Sequence, residues 1–156
     1  MSTLEAGQQA PDFSLPGDSE TKIRMKDFGG RKLVLYFYPK DDTSGCTQEA
    51  KDFSALKPDF DAASTDVVGV SADSAKSHDK FKAKHDLDLR LASDEDHGML
   101  EAYGVWAEKS MYGRKYFGVE RTTFLIDRQG RISRIWRKVK VPGHAAEVLE
   151  AARNLD

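Results

Sequence analysis

LVLYFYPKDDTSGCTQEA, residues 33–50, is the stretch on which the fold turns. Its first part, LVLYFYP (33–39), is a near-continuous apolar run ended by proline. A run without polar alternation reads as a strand buried on both faces, in the middle of a sheet. After Gly45 the period changes. Cys46, Ala50, Phe53, Leu56 and Phe60 follow at spacings of four, three, three and four, which is one face of a helix. Pro58 is expected to bend or end that helix nearby. The stretch is therefore strand, polar loop, helix, with Cys46 in the first helical turn.

Working outward, VVGVSAD (67–73) reads as a second buried strand. Residues 74–86 are lysine-rich, with Phe81 as the clearest apolar anchor, and suggest an exposed helix. RLASD (90–94) is a short strand, and DHGMLEAYGV (96–105) a short helix closed by Gly104. TTFLID (122–127), the turn RQG (128–130) and ISRIWRKV (132–139) make a hairpin. Its second strand is expected to line one face with Ser133, Ile135, Arg137, Val139 and Val141. Residues 143–154 form an Ala/Leu-rich terminal helix, and the first 31 residues are rich in turns. The order predicts an α/β protein with a central mixed β-sheet flanked by helices. Parallel pairing comes first and an antiparallel hairpin last, a thioredoxin-like fold with a short N-terminal extension.

The chain of 156 residues is long enough for one domain, 1–156, with a sizeable core. Twenty-four basic and 26 acidic residues leave a formal charge of −2, which gives no global reason to expect nucleic acid or an anionic membrane. No apolar stretch approaches the ~20 residues of a membrane helix. MSTLEAGQQAPDF, at the start, has neither a basic nor an apolar signal region, so a secretory signal is not expected. One cysteine excludes an intrachain disulfide, and the expected location is the reducing cytoplasm.

That cysteine is the chemical centre of the reading. A thiol attacks only as the thiolate, and a free one, with a pKa of about 8.5, is mostly protonated at neutral pH. Three local features would stabilise a negative sulfur at Cys46. Thr43 or Ser44 as N-cap puts it among the unsatisfied N–H groups at the positive end of a helix. The Thr43 hydroxyl, three residues back, reaches the same space. Pro39, which has no N–H, walls off one side. A cation is missing locally; Arg121 supplies it if TTFLID lies beside LVLYFYP. The competing reading is an inert buried cysteine, since free cysteine is among the most buried residue types. The position of Cys46 at the C-terminal end of a buried strand, where α/β sheets place their sites, favours the reactive reading.

Pro39, Thr43 and Cys46 spell PxxxTxxC, the signature of peroxiredoxins. The wider sequence resembles their bacterioferritin-comigratory-protein branch, also called PrxQ. The matching pieces are APDFSLP (10–16), YFYPKDDTSGCTQEA (36–50), KSMYGRKYFGVERTTFLIDRQGRI (109–132) and VKVPGHAAEVL (139–149). The resemblance implies a thiol-dependent peroxidase that reduces hydrogen peroxide and organic hydroperoxides and needs no cofactor. Cys46 would be the nucleophile, passing through a sulfenic acid. Thr43 would hold the peroxide, and Arg121 would stabilise the thiolate and the charge on the leaving oxygen. Pro39 would shield the sulfenic acid, the backbone near Gly45 would contact the peroxide, and Glu49 would orient the arginine.

Two departures from the family pattern stand out. Ser44 occupies a position that is often proline, which alters the stiffness of the loop. Many relatives carry a resolving cysteine where this chain has Lys51, and others in the stretch that reads KFKAK (80–84) here. Neither place has one. Resolution must then use an external thiol through a mixed disulfide, with thioredoxin, glutaredoxin or glutathione as candidates. The expected oligomeric state is a monomer. The non-enzyme alternative is a redox sensor whose Cys46 is oxidised once and signals; a third is an inert thioredoxin-like structural protein.

The remaining constellations read as structure. SDEDHG (93–98) matches no metal-ligand spacing and is better taken as a solvated helix start. His78 and His85 are expected on the surface of the lysine-rich helix, and His144 at the start of the last one. RISRIWRKVK (131–140) is a strand with exposed basic residues rather than a nucleic-acid face. GGRK (29–32) lacks the spacing and the Ser/Thr of a phosphate-binding loop.

Overall fold

The computed structural model describes residues 4–155; the first three residues of the N-terminal stretch and Asp156 lie outside the described part. The apolar run 33–37 lies within β3 (Lys32–Phe37), all six residues of which are buried. On one side β3 pairs in parallel with β4 (Thr65–Ser71), and β4 with β5 (Arg90–Ser93). On its other side β3 pairs antiparallel with β8 (Thr122–Ile126), and β8 with β9 (Ile132–Trp136). The sheet order is therefore β5-β4-β3-β8-β9, the mixed sheet expected from the sequence.

Alternate residues of β3 feed two cores. Leu33, Leu35 and Phe37 pack with Phe124, Ile126, Leu100 of α4 (Gly98–Ala102) and Tyr103. Val34, Tyr36 and Tyr38 pack with α1 (Ser44–Ala55), α2 (Lys57–Ala62), α3 (Ala75–His85) and α5 (His144–Asn154) through Phe53, Phe60, Phe81 and Val148. The helix read around Cys46 is split at Leu56, with Pro58 in the first turn of α2, where a missing N–H costs nothing. The N-terminal extension is part of the first core. A hairpin of β1 (Ser14–Pro16) and β2 (Lys22–Arg24) carries Ile23, which is fully buried with Ala10 and Phe13 beside it.

Three expectations need correction. The lysine-rich helix α3 is not wholly exposed: His78 and Phe81 are buried at 0% and 2% exposure, so His78 is not a surface histidine. The last strand stops at Trp136, and Lys138 turns the chain with a φ of 50°, so residues 137–141 do not continue a strand face. A register shift at Leu125/Ile126 also turns Ile132 and Ile135 toward the same core. An additional hairpin, β6 (Trp106–Met111) and β7 (Arg114–Val119), stands outside the main sheet on a two-residue turn, Tyr112-Gly113, with both φ values positive.

Gly69 in β4 shows how tightly the layer behind Tyr36 is filled. A Cβ there would lie 2.6 Å from Tyr36 Cζ and 2.8 Å from Leu91 Cδ2. Both neighbours are fully buried and cannot retreat. Gly69→Ala should cost about 1–3 kcal/mol by overpacking, read as a lower urea midpoint with an unchanged slope.

Candidate active site

β3 delivers the chain to the edge of the second core, and there the backbone leaves the sheet. Tyr38 makes one last bond, N–H to the Val70 carbonyl, before Pro39 ends the pairing. The loop turns at Asp42, with a φ of 59°, and α1 starts with Thr43 as its N-cap in extended conformation. The first helical hydrogen bond runs from the Thr47 amide to the Thr43 carbonyl. Ser44, Gly45 and Cys46 are thus the first turn, whose amides have no acceptor within the helix. The Thr43 side chain makes no cap bond; its hydroxyl donates to the Lys40 carbonyl at 2.8 Å.

Cys46 is 1% exposed, while Pro39 and Thr43 before it lie at the surface. The missing cation comes from the other side of the sheet. Because Phe37 pairs with Thr122, Arg121 enters β8 next to the end of β3. Its Nη2 lies 3.3 Å from Cys46 Sγ, and its Nη1 donates to Glu49 Oε1 at 2.6 Å. Cys46 and Glu49 are three apart on α1, so one face of the helix presents both to the same guanidinium. Gly45 leaves the necessary room: a Cβ there would sit 3.3 Å from Arg121 Nη2.

The electrostatics follow from burial. Burial works against the Arg121 charge, but Glu49 and Cys46 outweigh it and raise the guanidinium above its ordinary value. Burial pushes the Glu49 carboxyl up to about 7, against the pull of Arg121. Glu49 Oε2 and the Tyr36 hydroxyl are buried without a hydrogen-bond partner among the described residues. The Tyr36 phenol is held well above its ordinary value by burial, with the Glu49 and Cys46 charges adding to the effect.

Four of the six residues read as site residues (Gly45, Cys46, Glu49 and Arg121) meet around the sulfur. Pro39 and Thr43 adjoin them through the loop. Sequence reading did not find Tyr36, Lys109 or a structural role for His144. Lys109 Nζ donates to the Val119 carbonyl, and burial, then the charge of Arg121, lower its pKa. His144 Nε2 lies 2.8 Å from Thr123 Oγ1, and burial lowers the ring to about 4. Lys109 comes in on the strand Trp106–Met111 and His144 at the start of α5, positions whose local sequence carries no pattern pointing to Cys46. An apolar cavity of about 450 Å3 lies at the opposite end of β3 and β8, between Leu33, Ile126 and Phe28, and shares no residue with the site.

In SDEDHG, Asp94 accepts from the Leu100 amide and His97 stacks on Trp106, so the stretch packs and caps. Among the described residues no group of three or more His, Cys, Asp or Glu side chains could hold a metal. No helix among them is long and apolar enough to cross a membrane.

A profile described as the AhpC/TSA family matches residues 6–135. Peroxiredoxin Bcp of Bacillus subtilis is 46% identical over 98% of this chain and 98% of its own length. A putative peroxiredoxin bcp of Coxiella burnetii is 50% identical over 94% of this chain and 97% of its own. The bacterioferritin comigratory protein of Xanthomonas campestris superposes with a TM-score of 0.90 at 44% identity, covering 96% of this chain and 98% of that one. The fold is accordingly the thioredoxin-like fold of these structures, and the chain belongs to the AhpC/TSA family as a peroxiredoxin of the Bcp/PrxQ branch with a single cysteine.

Proposed function

We propose that this peroxiredoxin reduces hydrogen peroxide and organic hydroperoxides through a sulfenic acid on Cys46 and is recycled by an external thiol. The observation that carries the reading is the Arg121 guanidinium 3.3 Å from a buried cysteine sulfur in the first turn of α1. The Cys46 thiolate attacks the terminal peroxide oxygen, the O–O bond breaks, and sulfur is oxidised to Cys–SOH as the peroxide is reduced. The leaving oxygen departs as alkoxide or hydroxide and takes up a proton to become alcohol or water. Arg121 stabilises both the thiolate and this leaving charge, in a setting where burial strengthens the interaction. Glu49 holds Arg121 by its second nitrogen, and Gly45 keeps the approach open. Thr43, whose proton is committed to Lys40, offers its oxygen to the peroxide O–H. Pro39 limits water at the sulfenic acid. The X. campestris protein is described as having alkyl peroxide reduction activity, which supports organic hydroperoxides as substrates here.

Because Cys46 is the one cysteine in 156 residues, the second thiol comes from outside. A first thiol displaces water from Cys–SOH to give a mixed disulfide, and a second thiol reduces it. Glutathione, glutaredoxin and thioredoxin fit this role. The protein acts as a cytoplasmic monomer without a nucleic-acid or membrane partner. Intact-mass spectrometry tests the cycle. Reduced protein given one equivalent of hydrogen peroxide should gain one oxygen rapidly, and added glutathione should turn that species into a glutathione adduct. No rapid oxygen gain would point to an inert buried thiol. Gain without any adduct or turnover would point to a sensor.

A further inference from the structure

The loop that carries Thr43 is held from outside the site by a buried polar network. His78, on α3, is 0% exposed. Its Nε2 lies 2.9 Å from the Ala92 carbonyl, which can only accept, so that nitrogen carries a proton. Its Nδ1 lies 2.8 Å from Asp41 Oδ2. Asp41 also accepts from the Tyr38 hydroxyl at 2.5 Å and from Ser77 Oγ at 2.8 Å. Both ring nitrogens are thus held, with the Tyr38 hydroxyl also 3.4 Å from Nδ1. Burial works against a charged ring, but the bond and the charge of Asp41, with Asp73 adding, outweigh it and raise His78 above its ordinary value. The next residue, Asp42, is tied to α3 as well, by Lys84 at 2.6 Å and His85 at 2.8 Å.

The same network grips the peptide unit between Lys40 and Asp41 on both sides. Its N–H donates to Asp73 Oδ2 at 2.8 Å, and Asp73 is itself held by Ser71 Oγ at 2.7 Å. Its C=O is the acceptor for the Thr43 hydroxyl. The plane of one peptide therefore decides where the Thr43 proton points, and so where its lone pairs face.

We propose that His78 and Asp73 are positioning residues which, through Asp41 and the Lys40–Asp41 peptide, aim the Thr43 oxygen at the peroxide. This rests on the role given to Thr43 above. If the clamp is loosened, the hydroxyl rotates and the O–H of the peroxide loses its acceptor, while the sulfur and Arg121 stay as they were. The clamp therefore acts on peroxide reduction and not on sulfur reactivity in general.

The test compares two reactions of Cys46 in His78→Gln, Asp73→Ala and Thr43→Val proteins. Oxidation by hydrogen peroxide needs the Thr43 acceptor; alkylation by iodoacetamide has no O–H to place. His78→Gln and Asp73→Ala should each slow oxidation about 10- to 100-fold, the scale of a misplaced reactant, and leave alkylation unchanged. In the Thr43→Val background neither should slow oxidation further, because all three remove one interaction. Should His78→Gln fail to fold, the half-buried Asp73 carries the comparison. Wild-type oxidation in the clamp variants, with Thr43→Val slow, would overturn this inference and leave the reading of the site standing. Wild-type oxidation in Thr43→Val would overturn the role of Thr43 itself, and the inference with it. Equal slowing of oxidation and alkylation would show a general disturbance and would also overturn it.

Discussion

Cys46→Ser protein should consume peroxide no faster than buffer alone. Serine keeps the size and the donor but cannot be oxidised, and no other thiol in the chain can take over. The loss is therefore complete rather than partial. The fold should persist, because the change exchanges one small buried group for another beside a guanidinium that can donate to the hydroxyl oxygen. A peroxide electrode with an excess of dithiothreitol measures the first point, and a thermal melt the second. Residual, reductant-dependent consumption above buffer would mean that the chemistry runs somewhere else in the molecule.

Arg121→Met should lower kcat/KM for peroxide by about 10²–10³-fold, the usual result of removing one preorganised donor from developing charge. It should also destabilise the protein. Glu49, 1% exposed, loses its partner, and once it is ionised, above a pH of about 7, breaking a buried pair from one side costs about 3–5 kcal/mol. The pH dependence separates the two effects. The folded protein keeps a proton on Glu49 up to about 7, whereas an unfolded chain releases it near 4.5. A carboxyl raised in this way contributes stability below 4.5 that fades as the pH rises through its folded value. Without Arg121 the folded value rises further and the fading continues to higher pH, so the variant's melting temperature should fall more at pH 8 than at pH 5. The double variant Arg121→Met/Glu49→Gln should recover the stability and not the rate. Recovery of both would assign Arg121 a purely structural part.

How much of this was legible in the sequence depended on how far apart the partners lie. LVLYFYP and the helix after Gly45 were readable because apolar periodicity is local. The break at Leu56 was foreshadowed by Pro58 for the same reason. Arg121 was readable only conditionally, since its place beside Cys46 requires the pairing of β3 with β8. Its bond to Glu49 spans 72 positions and has no local signature. The burial of His78 was hidden by its lysine neighbours, because its partner Asp41 lies 37 positions away on another element. The β6–β7 hairpin escaped because it faces water on most of its surface. Met111, Tyr112 and Phe117 are each more than half exposed, so no alternation marks its strands. Its Tyr-Gly turn was the one cue available.

On the role proposed for Arg121, the antiparallel pairing of β3 with β8 also sets when the protein becomes able to react. Cys46 and Arg121 are 75 positions apart, and the guanidinium reaches the sulfur only once β8 has docked. At about 5–20 residues per second, a ribosome makes Arg121 roughly 4–15 s after Cys46. Throughout that interval the nascent chain carries the thiol without its guanidinium. On that role the long-range strand pairing doubles as a safety catch: a half-made or misfolded copy lacks the cation beside its thiol, and only a molecule whose sheet is complete is armed.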